Sequence, residues 1–196
     1  MIMKIFLSYR REDAGHAASR LHQLLSDHFG ASSIIFDFES IQIGADFKTY
    51  LDEQLAQCDC LLAIVGKSWL DTLRERADQD EQDYVRYEIQ AAMKRDIPII
   101  PVLVDNSLLP TSDNLPEELK ALANNQTAVL SLERFSSDTT HLIQRLEKLN
   151  SGDNSPEIGN AKNVHFEFNK KREEVLYFSI VAISAVFIFL LVLIQV

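Results

Sequence analysis

The chain has 196 residues, of which 46% are hydrophobic and 24% are charged, and its formal net charge is −10. That length fits one domain of ordinary size with some chain to spare. An acidic surface repels phosphate backbones, and the basic cluster that stands out is confined to residues 170–172, Lys-Lys-Arg. We therefore expect no general nucleic-acid binding.

The cysteine and histidine content argues against a disulfide or a metal site. Cys58 and Cys60 are the only cysteines, and they stand beside an apolar run. A C-x-C pair in that position is typical of buried thiols in a reducing compartment. The five histidines include no pair at i, i+4 and no nearby acid at ligand spacing, so we predict no metal site.

Strands and helices alternate along the first part of the chain. No signal-peptide pattern precedes the first strand, which we place at residues 4–8. The next elements are an amphipathic helix ending at Gly30, a strand at 33–37, a helix with Phe47, Leu51 and Leu55 on one side, and a strand at 61–66. This third strand is apolar throughout, which indicates burial on both faces, as in the middle of a parallel sheet.

The same alternation continues to residue 150. We predict a long polar loop at 67–82, a helix at 83–93, a strand at 97–104, a short helix at 116–123, a strand at 127–132 and a last helix with Leu142, Ile143, Leu146 and Leu149. Pro98 and Pro101 cannot donate to a ladder, so the fourth strand is expected towards an edge, with one side unpaired over part of its length. The order predicts an α/β fold, a flavodoxin-like three-layer sandwich with a five-stranded parallel sheet.

The helix at 83–93 carries the acid of greatest interest. Val85, Ile89 and Ala92 recur at i, i+4 and i+7 and form its buried face, while Tyr84 and Glu88 lie four apart on a neighbouring face. This pattern places Glu88 at the edge of the apolar stripe. Because of that position, we expect substitution of Glu88 to leave the fold and its thermal midpoint nearly unchanged.

The C-terminal part of the sequence has a different character. Residues 151–174 lack periodicity and are predicted to be a flexible linker that ends in a basic juxtamembrane segment. Residues 175–196 contain no charged residue and are long enough to cross a bilayer, so we predict a transmembrane helix there. The basic residues just before it predict, by the positive-inside rule, that residues 1–150 face the cytoplasm as the domain of a single-pass cell-membrane protein.

Four stretches resemble the TIR (Toll/interleukin-1 receptor) family, particularly its bacterial members. They are residues 6–11 (Phe-Leu-Ser-Tyr-Arg-Arg), Phe36-Asp37 with Ile43-Gly44 and Phe47, Ser68-Trp69, and residues 84–89. The resemblance covers residues 1–150 and implies that Glu88 is the catalytic residue of an NAD+ glycohydrolase, with NAD+ as substrate and no cofactor. Tyr84 stands where an animal TIR enzyme has tryptophan, and Gln42 stands where it has glutamate.

The chemistry and the fold class agree with this implication. The nicotinamide of NAD+ is already cationic and leaves as a neutral base, so one carboxylate can suffice where an O-glycosidase needs two. Open α/β sheets bind ligands beyond the carboxyl ends of their strands. The candidate NAD+-binding residues there are Tyr9, Arg10, Arg11, Gln42, Ser68, Trp69 and Tyr84. The two arginines could meet the pyrophosphate, or they could be solvated or helix-bridging charges.

Other functions remain open at this stage. A phosphoacceptor receiver domain is excluded because the first strand ends in Ser8 and the third in Gly66, where acids are needed. A non-enzymatic TIR adaptor, assembling with other TIR domains through the loop at 38–44 and its turn at Gly44, is the main alternative. A pore is disfavoured because the predicted span is almost wholly apolar.

The resemblance to the TIR family also implies self-association, a role in immune defence such as an abortive response to phage, and a possible partner defence protein. Whether the product is linear or cyclic ADP-ribose is left open.

Overall fold

A computed structural model describes residues 3–36, 47–79 and 81–151. The chain divides into two compact units, Met1–Asp153 and Asn154–Val196, and the described residues all lie in the first. The predicted linker at 151–174, apart from Ser151, the predicted transmembrane helix at 175–196, Gln42 and the loop at 38–44 lie outside the described residues. Among the described helices, none combines the length and apolar character that a bilayer span requires.

The described residues form a parallel sheet with helices packed against both faces. The strands are β1 (Ile5–Ser8), β2 (Ile34–Ile35), β3 (Cys60–Val65), β4 (Ile99–Val104) and β5 (Ala128–Leu130), and they lie side by side in the order β2-β1-β3-β4-β5. The helices are α1 (Arg11–Phe29), α2 (Phe47–Leu55), α3 (Trp69–Asp78), α4 (Tyr84–Lys94) and α5 (Phe135–Ser151), with a 3₁₀ helix at Glu117–Asn124. The predicted five-stranded parallel α/β sandwich is confirmed for these residues.

Alternation within the strands separates two apolar cores. Ile5 and Leu7 of β1 face the core shared with α1 and α5, whereas Phe6 faces the core shared with α2, α3 and α4. The β3 strand is buried at every position, as its unbroken apolar run predicts for a central strand. Ser8 at the end of β1 pairs with Ala63, so β3 continues two residues beyond it. The carboxyl edge of the sheet is therefore stepped.

Two sequence-based predictions about the elements were wrong. The polar loop predicted at 67–82 contains α3, whose Trp69 and Leu73 lie one turn apart and are both buried. These two buried side chains hold an otherwise polar helix against the core. The β4 strand lies inside the sheet, because β5 occupies the edge. Its partial unpairing is confirmed, however, since β5 pairs only from Val102 onward and the side-chain amide of Asn125 donates to the Ile99 carbonyl at 2.8 Å.

Candidate active site

Glu88 is buried inside the domain. Its position, with Val85, Ile89 and Ala92, completes the i, i+3, i+4, i+7 stripe that α4 turns towards the sheet, and only 2% of the residue is exposed. The prediction that this acid lies at the solvated edge of the stripe was therefore wrong. A carboxyl group at a stripe position is costly to ionise, because the surrounding apolar core cannot solvate its charge.

The surroundings of Glu88 favour its neutral form. Burial is the main cause that raises its pKa, to about 8, and the negative charge of Asp83 acts in the same direction. The Ser8 hydroxyl and the Arg10 guanidinium oppose them and lower the pKa. Ser8 lies close enough to exert this effect, but its geometry falls short of a well-formed hydrogen bond. At neutral pH, the free domain therefore holds Glu88 mainly protonated.

A buried ion pair lies beside this acid. The guanidinium of Arg10 donates to both carboxylate oxygens of Asp83, at 3.0 and 2.6 Å, and the two side chains are 1% and 4% exposed. Asp83 is also the N-cap of α4, since its Oδ1 accepts the backbone N–H of Arg86 at 3.2 Å. The Arg10 guanidinium lies 5.6 Å from the centre of the Trp69 ring, within cation–π range. One cluster thus joins the N-terminal ends of α1, α3 and α4.

Several polar atoms of this cluster lack partners. Within the described part of the chain, Ser8 Oγ, Arg10 Nε, Trp69 Nε1 and Glu88 Oε2 are buried and make no hydrogen bond. Buried polar atoms are nearly always paired, and leaving one unpaired costs about 1–3 kcal/mol. Unpaired donors and a carboxyl oxygen grouped at the carboxyl edge of the sheet are typical of a ligand site.

A second contact fixes the turn after β3 against α1. The Asp13 carboxylate accepts the backbone N–H of Gly66 at 3.0 Å and that of Ser68 at 2.8 Å. A Cβ at position 66 would lie 2.5 Å from the Asp13 carboxylate, so this approach requires glycine. The turn leads directly into Trp69, and the contact therefore holds Trp69 in register with Arg10.

The remaining predicted binding residues are placed unequally around Glu88. Trp69 is wholly buried, so its ring cannot present a surface for stacking in this conformation. Tyr84, one turn before Glu88, is 39% exposed. Ser68 is exposed at the start of α3, and Arg11 is exposed as the first residue of α1. Arg10 is held by Asp83, so the helix-bridging alternative describes it, and a pyrophosphate contact stays a prediction.

Tyr9 belongs to the other face of the sheet. It packs against the core shared with α1 and α5, and its ring stacks on Phe36 with centroids 5.1 Å apart. Phe36 stacks in turn on His22 at 4.4 Å. The structure therefore brings Arg10, Trp69 and Glu88 together but not Tyr9.

Two residues of the cluster had no role in the sequence-based site. The Ser8 hydroxyl and the Asp83 charge both act on the Glu88 carboxyl group. In the sequence, however, Ser8 is only a strand residue and Asp83 only a charge at a helix start. The signal for Asp83 was its place directly before a helix. Its pairing with Arg10, 73 residues away, has no local signature.

A separate cleft of about 370 Å³ lies at the same edge of the sheet and does not include Glu88. Its lining is Glu12, Asp13, Lys67, Ser68, Asp105, Asn106, Leu132 and Glu133. Four carboxyl groups against one lysine would repel a pyrophosphate. In the described residues, no group of three metal-ligating side chains comes together.

The fold and this site define a doubly wound α/β domain with a buried acid at the carboxyl edge of its sheet. The sequence model of the TIR domain matches residues 5–146, and the chain belongs to that family. Among characterised proteins, the NAD(+) hydrolase sarm1 of Drosophila melanogaster is 28% identical over 122 residues, which cover 62% of this chain and 9% of that protein.

Two solved structures are similar to the chain. The first contains the TIR domains of the activated Roq1 resistosome, which directly recognises the pathogen effector XopQ. It has a TM-score of 0.54 and 13% identity, over 74% of this chain and 99% of that chain. The second, a metazoan TIR-STING receptor from C. gigas in complex with 2',3'-cGAMP, has a TM-score of 0.44 and 15% identity, over 69% of this chain and 38% of that chain. At 13% identity, the first likeness shows the fold alone.

Proposed function

We propose that this TIR domain is an NAD+ glycohydrolase with Glu88 as its catalytic residue. The observation that carries the proposal is the buried carboxyl group of Glu88, which keeps one oxygen unpartnered among the buried donors of Ser8, Arg10 and Trp69. The similarity to the Drosophila protein whose name states NAD(+) hydrolysis supports it, although this chain covers only 9% of that protein.

The reaction breaks the bond between the ribose C1′ and the nicotinamide nitrogen. The bonding electron pair leaves with the nicotinamide, which departs neutral, and the ribose acquires oxocarbenium character. An ionised Glu88 would stabilise that positive charge and accept hydrogen bonds from the ribose hydroxyls. Water then adds to C1′ and loses a proton to give ADP-ribose, or an adenine nitrogen adds to give a cyclic isomer.

The charge on NAD+ itself explains how a neutral acid can act in this way. A positive charge within about 4–6 Å favours the ionised form of a carboxyl group and lowers its pKa by about 1–3 units. Glu88, with a pKa of about 8 in the free domain, needs a shift of this size to ionise at neutral pH. Entry of the cationic nicotinamide ribose would supply it.

The decisive test is incubation of the full-length protein in detergent with NAD+ and identification of the products by chromatography. Glu88→Gln should abolish nicotinamide release, because an amide has no charge to set against the oxocarbenium ion. Glu75→Gln, on the exposed face of α3, is the matched control and should cleave NAD+ at the wild-type rate. Full NAD+ cleavage by the Glu88→Gln protein would contradict the mechanism.

One observation favours the alternative, a non-enzymatic TIR adaptor that assembles with other TIR domains. Glu88 is only 2% exposed, and a scaffold needs no access to it. An adaptor would release no nicotinamide at any protein concentration, while its self-association would persist in the Glu88→Gln variant.

The proposal extends to the membrane and to defence. Residues 175–196 carry no charge and follow Lys170-Lys171-Arg172, which supports a single-pass anchor in the cell membrane with the TIR domain in the cytoplasm. An anchor confines copies to a thin layer and raises their effective concentration. Such a tether suits antiphage immunity, in which self-association of TIR domains, or a partner defence protein, switches NAD+ cleavage on.

Deletion of residues 170–196 tests this extension. The truncated protein should cleave NAD+ with a specific activity that rises steeply with its concentration, whereas the full chain in vesicles should be active at far lower bulk concentration. Equal specific activity at every dilution would mean that the segment plays no part in activation.

A further inference from the structure

The Arg10–Asp83 pair does more than join two helices. Arg10 precedes α1 and Asp83 caps α4, so the pair ties the first turns of these two helices at the carboxyl edge of the sheet. Replacing such a buried pair by apolar residues is often neutral or stabilising, so stability alone does not account for it. Its place beside the one buried acid of α4 suggests a second role.

The two charges act on Glu88 in opposite directions. Asp83, the N-cap of α4, disfavours a second negative charge, and Arg10, directly before α1, favours it. The planar fork of Arg10 is fixed at two points, by both Asp83 oxygens and by its position over the Trp69 ring. Its Nε remains a buried donor without a partner. The positive end of the pair therefore cannot swing away from Glu88 without breaking these contacts.

Charged groups of α2 and of the 3₁₀ helix that face α4 are engaged with other residues. Lys48 of α2 lies over the Tyr87 ring, 5.7 Å from its centre. Asp52 of α2 pairs with Arg95 at 2.9 Å and accepts from the Tyr87 hydroxyl at 3.2 Å. Glu118 of the 3₁₀ helix pairs with Arg86. The β3 and β4 strands contribute apolar residues to this core. Within the described residues, the Arg10–Asp83 pair and the Ser8 hydroxyl are thus the polar groups that act on Glu88.

We propose that Arg10 and Asp83 are positioning residues whose paired charges balance each other at Glu88, and that this balance sets the pH range in which the acid ionises. In the balanced state, burial outweighs the opposing Ser8 hydroxyl and keeps Glu88 neutral until a cation enters. The inference rests on the proposed function for its meaning in catalysis, but the charge balance is a property of the free domain.

The experiment measures ionisation of Glu88 directly. The full chain, labelled with ¹³C at the glutamate carboxyl carbons, is titrated by NMR in detergent micelles, and the Glu88 signal is assigned by its loss in Glu88→Gln. We expect Asp83→Asn to lower the pKa of Glu88 by roughly one unit and Arg10→Gln to raise it by a similar amount. The double variant should return to within about half a unit of the wild type, because both opposing charges are gone.

A matched control removes a nearby positive charge other than that of the Arg10 guanidinium. Arg76 lies 3.9 Å from Asp83 and its side chain is 29% exposed, so Arg76→Gln should shift the titration far less than Arg10→Gln. Far-ultraviolet circular dichroism checks that each variant is folded, and an osmolyte is added where needed to favour the folded state. Each single variant has its own expected direction of shift, and a shift in the other direction, or none, overturns the inference, so the test survives if one of the two variants does not fold.

Shifts in the same direction, or no shift in either single variant, would overturn the inference, because a purely structural pair has no reason to move the titration with opposite signs. NAD+ cleavage is assayed separately on the same proteins. Opposite shifts without cleavage would keep the charge balance and reject the proposed function. Cleavage without shifts would keep the function and reject the balance.

Discussion

Replacing Glu88 by glutamine should stabilise the domain, and by an amount that depends on pH. Burial raises the pKa of Glu88 from 4.5 to about 8. Below the lower value, the folded and unfolded chains both carry the proton, so the titration of Glu88 does not change stability. Between the two values, the unfolded chain releases the proton while the folded one keeps it, so stability falls as pH rises. Above the higher value, both forms are ionised and the loss is complete.

The size of the effect follows from the two pKa values. One pKa unit corresponds to about 1.4 kcal/mol, so the wild-type protein should lose roughly 3 kcal/mol by pH 7 and roughly 5 kcal/mol above pH 8. Domains of this size have total stabilities of about 5–15 kcal/mol, which makes the difference easy to measure. Glutamine keeps the shape of the side chain but cannot ionise, so its stability should lack this slope.

The assay is urea unfolding of wild type and Glu88→Gln from about pH 4 to about pH 9, followed by circular dichroism. The stability of the variant relative to wild type should rise between about pH 4.5 and about pH 8 and then level off. Glu75→Gln, which changes an exposed acid on α3, should run parallel to the wild type. Parallel curves for Glu88→Gln as well would refute the burial argument and restore the expectation, drawn from the sequence alone, that this substitution leaves stability nearly unchanged.

Three further outcomes follow from the geometry of the site. The kcat/KM for NAD+ should rise with pH up to about 8, as Glu88 ionises in the free enzyme, while kcat changes less because the bound cation favours ionisation; a flat kcat/KM profile would contradict this. Arg10→Met should cost about 3–5 kcal/mol in urea unfolding by leaving a buried charge unpaired. Arg11→Met, at an exposed position, should cost less than about 1 kcal/mol, and equal losses would contradict the pairing. Gly66→Ala should cost about 1–3 kcal/mol through its clash with the Asp13 carboxylate, and Asp13→Ala in the same chain should recover part of that loss; additive effects would exclude the clash.

Much of the fold was predictable because its signals are local. The unbroken apolar run of β3 and the apolar spacing of α1 and α4 follow from burial and helical periodicity, and the order of elements then limits the topology. The α3 helix was not predicted, because most of its residues are polar and only two large apolar side chains, Trp69 and Leu73, anchor it to the core. The predicted placement of β4 depended on Pro98 and Pro101, but a proline limits hydrogen bonding only at its own position and does not decide which strand lies at the edge.

The sequence singled out Glu88 as the candidate catalytic residue but did not predict the groups around it. Glu88 was proposed from the helix and from the family pattern. Its burial was missed because a helix stripe does not reveal whether an acid within it faces the core or turns aside. The Arg10–Asp83 pair connects residues 73 apart in the sequence. Only the packing of α4 against the end of β1 brings them together.

Under the proposed function, the burial of Glu88 and the positive charge of NAD+ act in opposite directions on the same ionisation. Ionising this acid at pH 7 in the free domain costs roughly 1 kcal/mol, since its pKa of about 8 lies about one unit higher. A cation placed nearby can lower the pKa by about 1–3 units, which meets or exceeds that cost. A more deeply shifted acid would stay neutral even when the site is occupied, and an unshifted one would be charged in an empty apolar core. With a pKa of about 8, Glu88 lies between these limits, so under the proposed function the cationic substrate would itself bring about the ionisation that its cleavage requires.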